Sequence, residues 1–114
     1  MNIQKNIITT FTDISALSGK PTECKHHVIY GRGLRELADQ DGLWIPLTNA
    51  EHNMSPKGII NQVHGNPVAE AFSKIIGELA WEREYLSDRL EKYEPNGKEE
   101  SKEAFRRRYG QNYI

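Results

Sequence analysis

The sequence is poor in cysteine, in long apolar runs and in net charge, and each shortage excludes a class of protein. Cys24 is the single cysteine in 114 residues, which excludes an intramolecular disulfide framework and a zinc site of four cysteines. No apolar run approaches the ~20 residues that span a bilayer, and the N-terminal segment lacks the charged-then-apolar order of a signal peptide. The formal charge is -1, which gives no general attraction to nucleic acid. We therefore expect a cytoplasmic protein with no membrane partner.

The apolar residues that are present predict one small α+β domain. At 37% hydrophobic residues, a chain of this length forms a single compact core. Residues 3–12 and 24–31 have the β-branched and aromatic content of strands, and residues 43–47 (LWIPL) predict a further strand that pairs with the second. Between them, apolar residues at helical spacing predict a short helix that Gly42 ends.

A long amphipathic helix is predicted over residues 67–93. Asn66 is a suitable N-cap and Pro67 suits the first helical position. A last short helix is predicted to begin at the cap residue Ser101 and to end at Gly110. We expect the apolar stripe of the long helix to lie in the core or in the seam of a homodimer. The stripe consists of Val68, Phe72, Ile75, Ile76, Leu79, Leu86, Leu90 and Tyr93.

The histidines are the main chemical signal. All four lie in the first part of the chain: His26, His27, His52 and His64. Imidazole is a common ligand of divalent transition metals and a general base near neutral pH, so the cluster suggests a metal site with a proton acceptor. Adjacent side chains on a strand point to opposite faces, so His26 and His27 cannot serve the same purpose. The alternative is that the adjacent pair is accidental or structural and that His64 is a solvated surface residue.

Four ordered segments carry a family resemblance: CKHHVIYG (24–31), DGLWIPLTNAEHN (41–53), QVH (62–64) and AFRRRYGQNYI (104–114). Together they resemble the HNH endonucleases carried by phages and prophages, whose core is a ββα-metal (His-Me) finger. The resemblance implies a nuclease core at 1–66 and a helical extension at 67–114 that packs on the core or forms a dimer seam.

The resemblance has a departure at the zinc knuckles. Many relatives hold the finger with a structural zinc in two Cys-x-x-Cys pairs. Here Ser15 and Ser18 stand at one pair and Thr48 and Glu51 at the other, each with the same spacing. Because such side chains hold zinc poorly, we expect no structural zinc and loops held by hydrogen bonds and packing.

A second departure concerns the asparagine that braces the loop in HNH proteins. Gly42 stands near its usual place, and Asp41 or Asn49 is the available substitute. Asn53 is either a bracing amide beside the metal or a helix-start residue, and we favour the second. The orientation of the base depends on which residue supplies the brace.

The resemblance also assigns catalytic roles. It makes His27 the general base that activates water for attack on a phosphodiester. His26, His52 and His64 would hold one divalent metal ion, either Mg²⁺, Mn²⁺, Ni²⁺ or Zn²⁺. The charge of that ion stabilises the phosphate and the leaving 3′ oxygen during hydrolysis.

Candidate substrate contacts are Arg32, Arg35 and Lys57, for which solvated side chains are the alternative. We therefore expect a metal-dependent DNA endonuclease of phage or prophage origin, acting in recombination, packaging or repair. One alternative is a catalytically silent DNA-binding or adaptor module. Another is a helical interaction protein that dimerises through residues 67–93.

Overall fold

The structure is a computed structural model that describes residues 5–88 and 97–114. The described residues form a small mixed α+β fold, which confirms the expected class, with two antiparallel strands and four α-helices. None of these helices is long and apolar enough to cross a membrane. In chain order the elements are β1 (Cys24–His27), α1 (Leu34–Asp41), β2 (Trp44–Leu47), α2 (Asn49–His52), a 3₁₀ turn (Ile59–Asn61), α3 (Pro67–Ser87) and α4 (Gly97–Tyr109).

The two strands pair as the sequence predicts. Cys24 lies opposite Leu47, and His27 lies opposite Trp44. The helix α1 connects the strands and ends at Gly42, whose φ of 75° is left-handed and whose N–H bonds to carbonyls of the last turn. A side chain there would meet the backbone of Lys5 at 3.0 Å, so the position requires glycine for space as well as for conformation.

The strand predicted at 3–12 is wrong over residues 5–12, which form no strand, while residues 3 and 4 lie outside the described part of the chain. Asn6 explains the difference. Its Nδ2 donates to the carbonyl of Trp44 at 2.7 Å, and its Oδ1 accepts from the N–H groups of Ile8 and Thr9 at 2.8 and 2.9 Å. These side-chain bonds replace the ladder that a strand would need.

A single core joins the two parts of the chain that the sequence suggests dividing at residue 66. Gly77 allows α3 to approach closely, since a Cβ at this position would lie 2.6 Å from Cγ1 of Ile29. The helices α3 and α4 therefore pack on α1 and on the segments that follow β1 and precede β2. The buried core residues are Val28, Ile29, Ala38, Leu43, Ala80, Phe105 and Tyr109.

The face that α3 buries is not the predicted apolar stripe. The residues of α3 that are buried are Ser73, Gly77, Glu78 and Ala80. Stripe residues are instead exposed, at 64% for Val68, 60% for Phe72, 44% for Ile76 and 53% for Leu79. Small side chains bring the helix backbone close to the core on the opposite face. The prediction that these four residues pack in the core is therefore wrong, and the homodimer stays a prediction.

The ends of the two long helices are partly as expected. Asn66 caps α3 through its side chain, with Pro67 in the first turn, which confirms that start. The helix ends at Ser87, and the predicted continuation through Leu90 and Tyr93 falls on residues 89–96, outside the described residues. The helix α4 begins at Gly97 rather than at Ser101, which is fully buried inside it. Gly110 follows its last residue with a φ of 88°.

Candidate metal centre

Three of the four histidines converge. One ligand nitrogen from each of His26, His52 and His64 lies within 4.8 Å of the others. The ring centroids are 5.2 Å apart for His26 and His52, 4.9 Å for His26 and His64, and 4.5 Å for His52 and His64. These three side chains lie close enough to bind one metal ion.

Backbone hydrogen bonds bring the two outer histidines together. His52 is the last residue of α2, and its carbonyl accepts from the N–H of His64 at 2.9 Å. The preceding Val63 donates to the carbonyl of Glu51 at 2.8 Å. The segment after the 3₁₀ turn is thus fixed beside α2, and both histidines face His26 on β1.

Burial keeps the inner histidine neutral. His26 is fully buried, and burial, followed by the neighbouring His64 and His52, lowers its pKa to about 3. Burial, then His64 and Arg35, also lowers the pKa of His52. Metal ions bind neutral imidazole, so both side chains are in the form that a ligand requires near neutral pH.

An unpaired nitrogen supports a ligand role for His26. Its Nε2 lies 2.8 Å from Oγ of Ser73, but its Nδ1 is buried without a hydrogen-bond partner among the described residues. A buried polar atom without a partner costs about 1–3 kcal/mol. A bound cation would satisfy this atom, so the donor set fits a metal ion.

His27 lies on the other face of β1. Its Nε2 is 2.9 Å from Oδ1 of Asp39, and Nζ of Lys25 is 3.1 Å from the same oxygen. Hydrogen bonds from His27 and Lys25 lower the pKa of Asp39. The pair lines a cavity of about 770 Å³. Arg35 also lines this cavity, whereas His26, His52 and His64 do not. A carboxylate that orients an imidazole is the arrangement of a general base.

The sequence reasoning missed Asp39 and named Asp41 instead. Asp41 accepts from Nε of Arg108 at 2.6 Å, from the hydroxyl of Tyr109 at 2.6 Å and from Nε1 of Trp81 at 3.1 Å. It therefore joins α1 to α3 and α4 and contacts no histidine in these bonds. The sequence signal for Asp39 is its spacing in the predicted helix. It follows Arg35 by one turn and therefore lies on the same face of α1, beside β1.

The other bracing candidates also differ from expectation. Asn49 begins α2, where its N–H donates to Oε1 of Glu23 at 3.0 Å. Asn53 is the C-cap of α2 and not a helix-start residue, because the capping box of this helix lies at Thr48 and Glu51. Neither amide has a hydrogen bond to a histidine in the described residues.

The three candidate substrate contacts differ in their relation to the candidate catalytic residues. Arg32, Arg35 and Lys57 are all exposed. Only Arg35 lines the cavity that contains His27. Lys57 follows α2, where its N–H donates to Oγ of Ser55 at 3.2 Å. The described structure therefore groups one of the three with a candidate catalytic side chain.

The four residues at the knuckle positions form a hydrogen-bonded cluster. Oε1 of Glu51 accepts from Oγ of Ser15 at 2.5 Å and from the N–H of Thr48 at 2.9 Å. Burial raises the pKa of Glu51, but hydrogen bonds from Ser15, Ser18 and Thr48 outweigh it and lower the pKa to about 2. The two loops are joined by hydrogen bonds, as expected.

Comparisons with known proteins add no further assignment. No protein-family model, no curated protein and no solved structure matches this chain. The HNH family expected from the four sequence segments therefore stays a prediction.

Proposed function

We propose that the protein is a metal-dependent endonuclease of the HNH type that hydrolyses phosphodiester bonds in DNA. The observation that carries this proposal is the convergence of His26, His52 and His64. The residue that follows His26 on β1, His27, is hydrogen-bonded to the carboxylate of Asp39. A metal ligand and an oriented base on neighbouring residues are the two groups that hydrolysis of a phosphodiester needs. The ββα-metal finger would be formed by β1, β2 and α2.

The donor set favours a borderline transition metal. Three imidazoles without a carboxylate suit Zn²⁺ or Ni²⁺, whereas Mg²⁺ prefers oxygen ligands and retains several waters. When bound, the ion supplies positive charge to the phosphate and to the leaving oxygen. His26, His52 and His64 would hold it through one ring nitrogen each.

The proton is handled by His27 and Asp39. If the Nε2–H of His27 donates to Asp39, its Nδ1 carries the lone pair that accepts a proton from water. Asp39 then stabilises the resulting imidazolium. Lys25 and Arg35 lie in the same cavity and provide positive charge for the phosphodiester backbone.

One observation favours the second candidate, a catalytically silent DNA-binding or adaptor module. The cavity that contains His27 is not lined by His26, His52 or His64. The cavity and the three histidines lie on opposite faces of β1. A nuclease needs a substrate phosphate that reaches both. An origin in a phage or prophage and a role in recombination, packaging or repair stay predictions.

Cleavage and metal binding, measured together, test the proposal. Purified protein is treated with EDTA, and nicking of supercoiled plasmid is followed after addition of Zn²⁺, Ni²⁺, Mn²⁺ or Mg²⁺, with calorimetry for each metal. We expect His52→Ala to lose metal binding and cleavage, and His27→Ala and Asp39→Asn to lose cleavage alone. Glu99→Gln, an exposed change on α4, is the control.

The outcomes separate the candidates. Metal binding without cleavage by the wild-type protein supports the silent module. Equal cleavage by wild-type and His27→Ala protein rejects the assigned base. A wild-type protein that binds none of the four metals rejects the metal centre.

A further inference from the structure

Ser73 connects the helical extension to the candidate metal centre. It lies on α3 and is 5% exposed. Its Oγ is 2.8 Å from Nε2 of His26 and 2.9 Å from the carbonyl of Val28. The side chain thus joins two groups on the strand and on the segment that follows it.

The proton positions follow from the number of donors. A serine hydroxyl has one proton, and a carbonyl oxygen only accepts, so this proton is donated to Val28. Oγ can then contact Nε2 of His26 favourably only as an acceptor. A neutral His26 must therefore carry its proton on Nε2, which leaves the lone pair on Nδ1.

Nδ1, the nitrogen of His26 that carries the lone pair in this arrangement, is also the unpaired one. Nδ1 of His26 is buried and has no hydrogen-bond partner among the described residues. The rings of His52 and His64 lie beside the ring of His26, with centroids 5.2 and 4.9 Å away, and one ligand nitrogen from each of the three residues lies within 4.8 Å of the others. We infer that Ser73 is a positioning residue that fixes His26 in the Nε2–H tautomer and so presents Nδ1 as the metal ligand. This inference rests on the proposed metal centre.

Local packing explains why a serine is found here. Where α3 meets the segment after β1 its side chains are small, and Gly77 one turn later contacts the same segment. The short side chain of Ser73 places its hydroxyl within hydrogen-bond distance of both partners. The helical extension therefore contributes directly to the site instead of serving only as a support.

Nuclear magnetic resonance of the metal-free protein tests the tautomer directly. In a two-bond ¹H–¹⁵N spectrum of histidine rings at pH 7.5, we expect His26 of the wild-type protein to be protonated at Nε2 alone. Ser73→Ala should show a mixture of tautomers, and Ser73→Thr, which retains the hydroxyl, should show the wild-type pattern. Ser87→Ala, an exposed change on the same helix, is the matched control.

Metal affinity provides the second measurement. Loss of a group that orients a ligand typically weakens metal binding about 10–100-fold, and we expect this loss of Zn²⁺ affinity in Ser73→Ala. Ser73→Thr should restore most of it. Thermal unfolding of the metal-free variants shows whether each is folded. If Ser73→Ala does not fold, the wild-type tautomer and Ser73→Thr decide the question.

Two results would overturn the inference. One is an Nδ1–H tautomer of His26 in the wild-type protein, and the other is a folded Ser73→Ala with unchanged tautomer and affinity. A wild-type protein that binds none of Zn²⁺, Ni²⁺, Mn²⁺ and Mg²⁺ is a different failure, because it rejects the metal centre while the spectrum still tests the hydrogen bond.

Discussion

Replacing Glu82 by glutamine should stabilise the protein above neutral pH. Oε1 of Glu82 accepts from Oγ of Ser101 at 2.7 Å, while its Oε2 is buried without a donor among the described residues. Burial, followed by a hydrogen bond to the carboxylate of Glu78, raises the pKa of Glu82 to about 7. Glu78 is fully buried and already accepts from Nδ2 of Asn112 at 2.9 Å and from the N–H of Tyr113.

The sign follows from proton binding. An unfolded glutamate releases its proton near pH 4.5, whereas folded Glu82 retains it to about pH 7. Stability is therefore lost as the pH rises through this window, and the loss is complete above it. A shift of this size corresponds to about 3.4 kcal/mol at ~1.36 kcal/mol per unit, and partial exposure of the side chain reduces it to about 1–2 kcal/mol. Glutamine cannot ionise, so it places no second negative charge beside Glu78.

Urea unfolding of wild-type and Glu82→Gln protein at pH 4.5, 6 and 8.5 measures the difference in their free energies of unfolding. We expect near equality at pH 4.5 and a glutamine variant that is about 1–2 kcal/mol more stable at pH 8.5. Glu84→Gln, two residues further along α3, is the control and should show no such trend. A stability difference that is the same at all three pH values, or a less stable variant at pH 8.5, would refute the reasoning.

Three further predictions concern packing and the loop cluster. Gly77→Ala should lower the free energy of unfolding by about 1–3 kcal/mol, because its Cβ would meet Ile29 at 2.6 Å. Glu51→Ala should lower it by about 2 kcal/mol, since three donors lose a charged acceptor, and urea unfolding at pH 7 measures both changes. Phe72→Ser should change it by less than ~0.5 kcal/mol, whereas Phe105→Ala should cost about 3–5 kcal/mol. A Phe72→Ser effect that depends on protein concentration would show instead that a second copy covers this face.

The parts of the fold that the sequence predicts are those set by local chemistry. Gly42 ends α1 because of its left-handed conformation, and Asn66 begins α3 with its side chain. The predictions fail where tertiary contacts decide. The strand-like composition of 5–12 yields to the hydrogen bonds of Asn6, and the periodic stripe of α3 yields to a small-residue face around Gly77. Periodicity identifies a helix but does not show which face it buries.

The candidate site divides in the same way. Clustering in the sequence and the resemblance together anticipate that His26, His52 and His64 meet, and the structure brings them together. The groups that orient the histidines are missed, since Asp39 and Ser73 read as ordinary polar residues on helices. Their significance appears only when distant segments are packed, as with Ser73, which lies 47 residues from His26 in the sequence.

Glu51 joins the two loops at the knuckle positions, and the helical extension completes the core. A carboxylate gathers donors from two loops as a zinc ion gathers thiolates, here from Ser15, Ser18 and Thr48. The energies differ, because a structural zinc contributes about 10–16 kcal/mol, whereas a hydrogen bond to a charged group contributes about 1.5–3 kcal/mol. The core adds to these hydrogen bonds, since Phe105 and Tyr109 of α4 are buried against residues of the first half. Because Ser73 of α3 also contacts His26, the helices after residue 66 are part of the structure that holds the three histidines.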